Sequence, residues 1–203
     1  MLVNASGGGP VLLDSTRTGK LIGMSWSPDG QWISYIREIA GKQDLAKIRV
    51  APGTAPEVLA NAKVQQQRAG TEWSPAGDWI AYPAPDGIDL ISPDGESGRN
   101  LTARKFEAYS FSLDGSHLYG IFHNTAGPGA QWHLYSVNVN TGAERFLAPV
   151  DLPPSADTLA GFSLHPDGKR FLVSIAKFPF GIWMLQGFDP PQPRTWLDRL
   201  LRR

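Results

Sequence analysis

The stretch SWSPDGQWISY, Ser25 to Tyr35, returns as EWSPAGDWIAY from Glu72 to Tyr82. A chain that writes one phrase twice in register is built from copies of one unit, and no other feature constrains its fold as strongly. Aligned on the turn, the phrase occurs four times: Ser27-Pro28-Asp29-Gly30, Ser74-Pro75-Ala76-Gly77, Ser112-Leu113-Asp114-Gly115 and His165-Pro166-Asp167-Gly168. A bulky apolar residue stands before each turn, namely Trp26, Trp73, Phe111 and Leu164. Three residues past each turn glycine come Ile33, Ile80, Leu118 and Phe171, and two further on Tyr35, Tyr82, Gly120 and Val173. The unit is roughly forty to forty-five residues long, with loop insertions absorbing the differences.

Each position has a physical reason. Proline pre-sets φ at the first corner of the turn, aspartate bonds its own downstream backbone, and glycine supplies φ > 0. The flanking apolar residues alternate, which is the period of a strand with one buried face. A second hairpin follows each turn, in LAKIRVAPGTAPEVLA (Leu45–Ala60), IDLISPDGESGRNLTA (Ile88–Ala103) and WHLYSVNVNTGAERFLA (Trp132–Ala148). Four short strands per unit is the count of a propeller blade, and helical periodicity is missing. The expected fold is all-β, a β-propeller of four-stranded antiparallel blades.

These residues resemble the TolB-like propeller repeat, a WD-repeat-like family marked by an aromatic residue, Ser-Pro-Asp-Gly and an apolar strand. Trp26–Ile33 carries the whole pattern. The second copy has Ala76 for Asp, the third Leu113 for Pro, and the fourth His165 for Ser with Leu164 for the aromatic. The resemblance spans about residues 11 to 186 and implies a propeller, commonly of six or more blades. Two architectures follow for residues 1–188. One is a small four-bladed ring in which Val11–Asp14, within the half-blade 1–14, serves as a closing strand. The other is the C-terminal part of a longer propeller. The tail 189–203, with Trp196, Leu197, Leu200 and Leu201 among four arginines, reads as a short amphipathic helix. It resembles the end of bacterial multi-domain regulators, whose effector domains this chain does not contain.

Composition removes several function classes. Nineteen basic and nineteen acidic residues cancel, so no overall field steers the chain towards nucleic acid or an anionic membrane. With no cysteine, thiolate metal sites and cysteine nucleophiles are excluded. No apolar run reaches the roughly 18 residues that span a bilayer. The opening MLVNASGGGPVLLDS has neither a basic n-region nor a long apolar h-region. Family analogy alone would place such a propeller in the periplasm.

No catalytic, cofactor-binding or metal-binding set is expected from the residues. The strings around Ser25 and Ser163 lack the closing glycine of a nucleophile elbow. His117, His123, His133 and His165 show no zinc spacing. Asp29, Asp114 and Asp167 recur once per blade as turn caps. Glu72 is the one acid expected in a strand next to the axis. Trp26 and Trp73 are expected between blades, while Trp32 and Trp79 alternate to the opposite face. The chain therefore reads as a non-catalytic scaffold for a protein or peptide partner, a monomer or part of a larger chain. Its contact residues are expected on the long polar loops: Arg37 and Gln43 (Arg37–Asp44), Gln65 and Arg68 (Ala62–Thr71), His123, Asn124 and Gln131 (His123–Gln131), and the loop Val150–Thr158. The alternative is a propeller that gates or binds substrate for a peptidase or a sugar-acting enzyme.

Overall fold

The computed structural model describes residues 9–15, 19–62, 70–124, 131–152, 158–165 and 167–176, and among them every regular element is a strand. Blade 1 comprises β1 (Lys20–Trp26), β2 (Trp32–Ile39), β3 (Lys42–Arg49) and β4 (Glu57–Ala62). Blade 2 comprises β5 (Glu72–Trp73), β6 (Ile80–Ala84), β7 (Gly87–Ile91) and β8 (Gly98–Thr102). Blade 3 comprises β9 (Ala108–Phe111), β10 (His117–Asn124), β11 (Gln131–Asn138) and β12 (Glu144–Val150). Blade 4 is described in β13 (Thr158–Leu164) and β14 (Phe171–Ala176). Each sheet is an antiparallel meander in chain order.

The repeated phrase builds the same turn each time. The glycine N–H donates to the carbonyl of the first turn residue at 2.9 Å in all four copies, with the glycine at φ between 68° and 77°. In the first, the Ser27 hydroxyl accepts from the Trp32 N–H at 2.9 Å and donates to Asp29 Oδ1, which also accepts from the Gln31 N–H. Ser112 and Asp114 repeat this arrangement. Where Ala76 removes the carboxylate, Asp78 takes over and accepts from Ser74 Oγ at 2.6 Å. Register is conserved too: Trp26 pairs with Ile33, Trp73 with Ile80, Phe111 with Leu118 and Leu164 with Phe171.

The core lies between blades. Each sheet has a leading face, turned towards the preceding blade, and a trailing face, turned towards the next. Ile36, Leu45 and Ala62 on the trailing side of blade 1 pack against Trp73, Ile80, Tyr82 and Ile91 of blade 2. Ala81, Ile88 and Leu90 then meet Phe106, Phe111, Leu118 and Val137 of blade 3. Ala108, Ile121 and Trp132 meet Leu159, Phe162 and Val173 of blade 4. Trp73, expected between blades, and Phe111 both lie in these junctions, 7% and 3% exposed. Trp26, expected there too, is 51% exposed, because no described blade stands before blade 1. Leu13 covers only part of that face, beside Tyr35, Ala46 and Ile48, and Tyr35 donates to Asp14. Placement of Val11–Asp14 in the last blade rests on partners outside the described residues, as does the tail 189–203.

The turns also stack from blade to blade. A Cβ on Gly77 would touch Pro28, and one on Gly115 would touch Pro75, at 3.6–3.8 Å. Leu113 breaks the series: it is 58% exposed, and nothing lies within 4 Å of the Cβ position of Gly168. Leu113→Pro restores the proline that the other three copies carry at this corner of the turn. It should raise stability by about 0.5–1 kcal/mol, read as a higher urea midpoint at unchanged m-value. A lower midpoint would show that the third turn has its own geometry.

Candidate functional site

The four inner strands meet around an axial pocket of about 200 Å³, lined by Gly23 and Met24 of β1, Glu72 of β5, Tyr109 of β9 and Phe162 of β13, among others. Several of its polar groups are used between blades. In blades 1 and 2 the residue before the apolar turn residue reaches the next blade: Ser25 Oγ accepts from the Trp73 N–H at 3.2 Å. One blade on, Glu72 Oε1 accepts from the Phe111 N–H at 3.1 Å and from Ser110 Oγ at 2.7 Å. Thr71 Oγ1 donates to the Gly23 carbonyl at 2.8 Å, and the Tyr109 hydroxyl donates to the Gly70 carbonyl. Gly23 and Gly70 let two backbones approach so closely that a Cβ on either would strike the other's main chain.

Burial pushes the Glu72 carboxyl up from 4.5 to about 7, its two hydrogen bonds offsetting part of that rise. The native state therefore holds this proton through a range in which the unfolded chain releases it. Stability falls as pH rises from about 4.5 to about 7 and levels off above. The full shift would correspond to about 3 kcal/mol, and access to the pocket screens it to less. Glu72→Gln should flatten this slope, read as urea midpoints at pH 5 and pH 8. An unchanged slope would place the ionisation elsewhere.

The expected contact residues separate. Arg37–Asp44 is not an insertion loop: β2 and β3 run into a two-residue turn at Ala40 and Gly41, φ 51° and 76°. Arg37 and Gln43 are strand residues, occupied with Asp44 at 3.7 Å and Glu38 at 2.9 Å. Gln65 and Arg68 lie outside the described residues, as do residues 125–130 and 153–157. His123 and Asn124 end β10, and Gln131 opens β11 opposite Asn124. The His123 ring lies flat on Trp132 at 4.0 Å, half-buried, with its Nε2 unpartnered in the structure. These three residues do gather at one hairpin end, but only Gln131 is well exposed.

Beside them lies a surface that sequence alone did not suggest. Past its paired turn residue, β6 stops at Ala84, whereas β2 and β10 continue two residues further, about 7 Å. The leading face of blade 3 therefore overhangs blade 2. It carries a ladder of rings in which Phe122 meets Tyr135 at 6.4 Å, Tyr135 meets Phe146 at 5.6 Å and Phe146 meets His133 at 5.4 Å. The Arg104 guanidinium lies 3.8 Å over Tyr135 and is held by Glu144 at 2.6 Å. Phe146 is 50% exposed. A pocket of about 450 Å³ adjoins the ladder, lined by Gln131, His133, Phe146, Pro149 and Asp151 together with Trp132, Val150 and Leu152.

Three solved structures are similar to this chain in fold. TolB from Acinetobacter baumannii matches with a TM-score of 0.61 at 18% identity, over 84% of this chain and 41% of that one. The fold is a TolB-like β-propeller. An oligogalacturonate lyase in complex with manganese matches with a TM-score of 0.61 at 15% identity, over 80% of this chain and 49% of that one. The nidogen/laminin complex matches with a TM-score of 0.58 at 14% identity, over 77% and 57%. The chain thus spans about half the length of these TolB-like and related propellers. No protein-family model and no curated protein matches the chain. Among the described residues, no group of three or more His, Cys, Asp or Glu side chains could hold a metal ion.

Proposed function

We propose that this propeller is a non-catalytic module that binds a protein or peptide partner on the overhanging face of blade 3. The observation that carries the reading is the partly exposed ladder His133–Phe146–Tyr135–Phe122 above the short blade 2. Rings held edge-to-face lose little conformational freedom on binding, and aromatic and Arg side chains dominate the energetics of protein contacts. The adjoining pocket is large enough for one anchoring side chain of the partner. At the axis, by contrast, Thr71, Glu72 and Tyr109 already serve blade-to-blade bonds. A second reading, substrate gating for an enzyme, is favoured by one feature: Glu72 and Glu107 both line the axial pocket, and one of them titrates near neutrality.

Selection of peptides from a random library on the immobilised chain tests the choice. Peptides that converge on one pattern should bind about ten-fold or more weakly to Phe146→Ala, and equally well to Glu72→Gln. Binding that survives Phe146→Ala and fails with Glu72→Gln would move the site to the axis.

A further inference from the structure

The pocket of about 450 Å³ beside the ring ladder is built by one blade, from β11, β12 and the two residues that follow. Described blades stand on both sides of it. Its walls are aromatic and apolar: Phe146, Pro149 and Trp132, with His133 edge-on to Phe146 at 5.4 Å. Phe146 is fixed by that contact and by Tyr135, yet half of it is exposed. One acid lies among these walls. The Leu152 N–H donates to the Val150 carbonyl at 3.0 Å, a three-residue turn that puts Asp151 at its corner. Asp151 is exposed, and its carboxylate makes no hydrogen bond or ion pair with the described residues. No Lys or Arg lines the pocket.

Blade 3 shows elsewhere what a ring and a carboxylate hold between them. The Arg104 guanidinium lies 3.8 Å over Tyr135 and 4.8 Å over Phe122, and the Glu144 carboxylate takes it at 2.6 Å. The pocket offers the same two partners, Phe146 and Asp151, with no basic side chain of this chain to occupy them. We propose that the pocket takes a basic side chain of the partner, an arginine, its stem along Phe146 and Pro149 and its guanidinium facing Asp151. This rests on the reading of the ring ladder as the partner-binding face and adds the chemistry of the anchor. Arginine suits the pocket better than lysine, because a flat guanidinium stacks on a ring and pairs with a carboxylate through two parallel N–H bonds. An acidic anchor would meet Asp151 and no cation. An apolar one would cover Phe146 but desolvate the carboxylate without pairing it.

Peptides selected from a random library on the immobilised full chain should share one arginine. Each is then made with citrulline, the neutral isostere, at that position. Both forms are measured by fluorescence anisotropy on the wild type and on Asp151→Asn, whose unchanged melting profile confirms that it folds. Citrulline should weaken binding to the wild type by about ten-fold. Asp151→Asn should weaken the arginine peptide by about three- to five-fold, and citrulline should then cost less by the same factor. Selected peptides that share no basic residue overturn the arginine anchor, and so does a citrulline cost equal on the two proteins. Phe146→Ala separates this failure from that of the binding face. If binding falls with Phe146→Ala while citrulline costs nothing, the face stands and its anchor is not basic. If binding ignores Phe146→Ala, or the library yields no binder, the face and its anchor fall together.

Discussion

Burial of apolar side chains between neighbouring blades is the interaction on which everything else here depends. A single blade of short strands cannot bury enough surface to hold itself together, and each of these sheets carries apolar residues on both faces. Tyr35 and Ile36 are both buried and adjacent in β2, facing opposite neighbours. The same holds for Ile80 and Ala81 in β6. At about 25 cal/mol per Å² of apolar surface, a buried tryptophan or phenylalanine at each junction outweighs any one of the hydrogen bonds that accompany it. Stability in such a chain is a sum over junctions, so a blade is held only as well as its neighbours cover it.

The junctions also govern where polar chemistry can sit. Inner strands approach one another near the axis, and the backbone N–H groups there need acceptors. Ser25 meets this need cheaply with a neutral hydroxyl. Glu72 meets it with a carboxylate that two donors reach, at the cost of desolvating a charge. The acid is therefore explained by the junction between blades 2 and 3 without a substrate. Farther from the axis the constraint relaxes, and strand length becomes free to vary. Blade 2 is shorter than its neighbours at the hairpin end, and that difference alone uncovers the rings of blade 3.

What could be read from the sequence follows from which interactions are local. The turn phrase is local, since serine, aspartate and glycine satisfy one another within a few residues, and its strands and register were legible. The contact residues were less so. Arg37–Asp44 looks like a polar insertion, yet its charges alternate along two paired strands, and Ala40 adopts the φ > 0 that a glycine would be expected to mark. The ring ladder was illegible for another reason. Nothing in Phe122, His133, Tyr135 or Phe146 says that they form one partly exposed ladder; that depends on where blade 2 stops. A comparison of strand lengths between aligned copies, five residues in β6 against eight in β2 and β10, was the available signal.

Departures from the repeat reveal which parts of the phrase the fold enforces. Exposed turn positions exchange one partner for another: Asp78 replaces the carboxylate lost at Ala76, and in the fourth turn Asp167 accepts from Arg170 Nε at 2.9 Å. Buried positions allow no such exchange without a change of shape nearby. Where blades 1 and 2 place Tyr35 and Tyr82, blade 3 has Gly120, and the fully buried ring of Phe106 occupies the space, so that a Cβ on Gly120 would strike it. Volume is conserved at the junction although the residue supplying it has moved to another strand segment. The repeat is thus kept by packing rather than by the turn it advertises. The same logic makes an exposed Trp26 a greater departure from the pattern than a missing proline or aspartate in any of the turns.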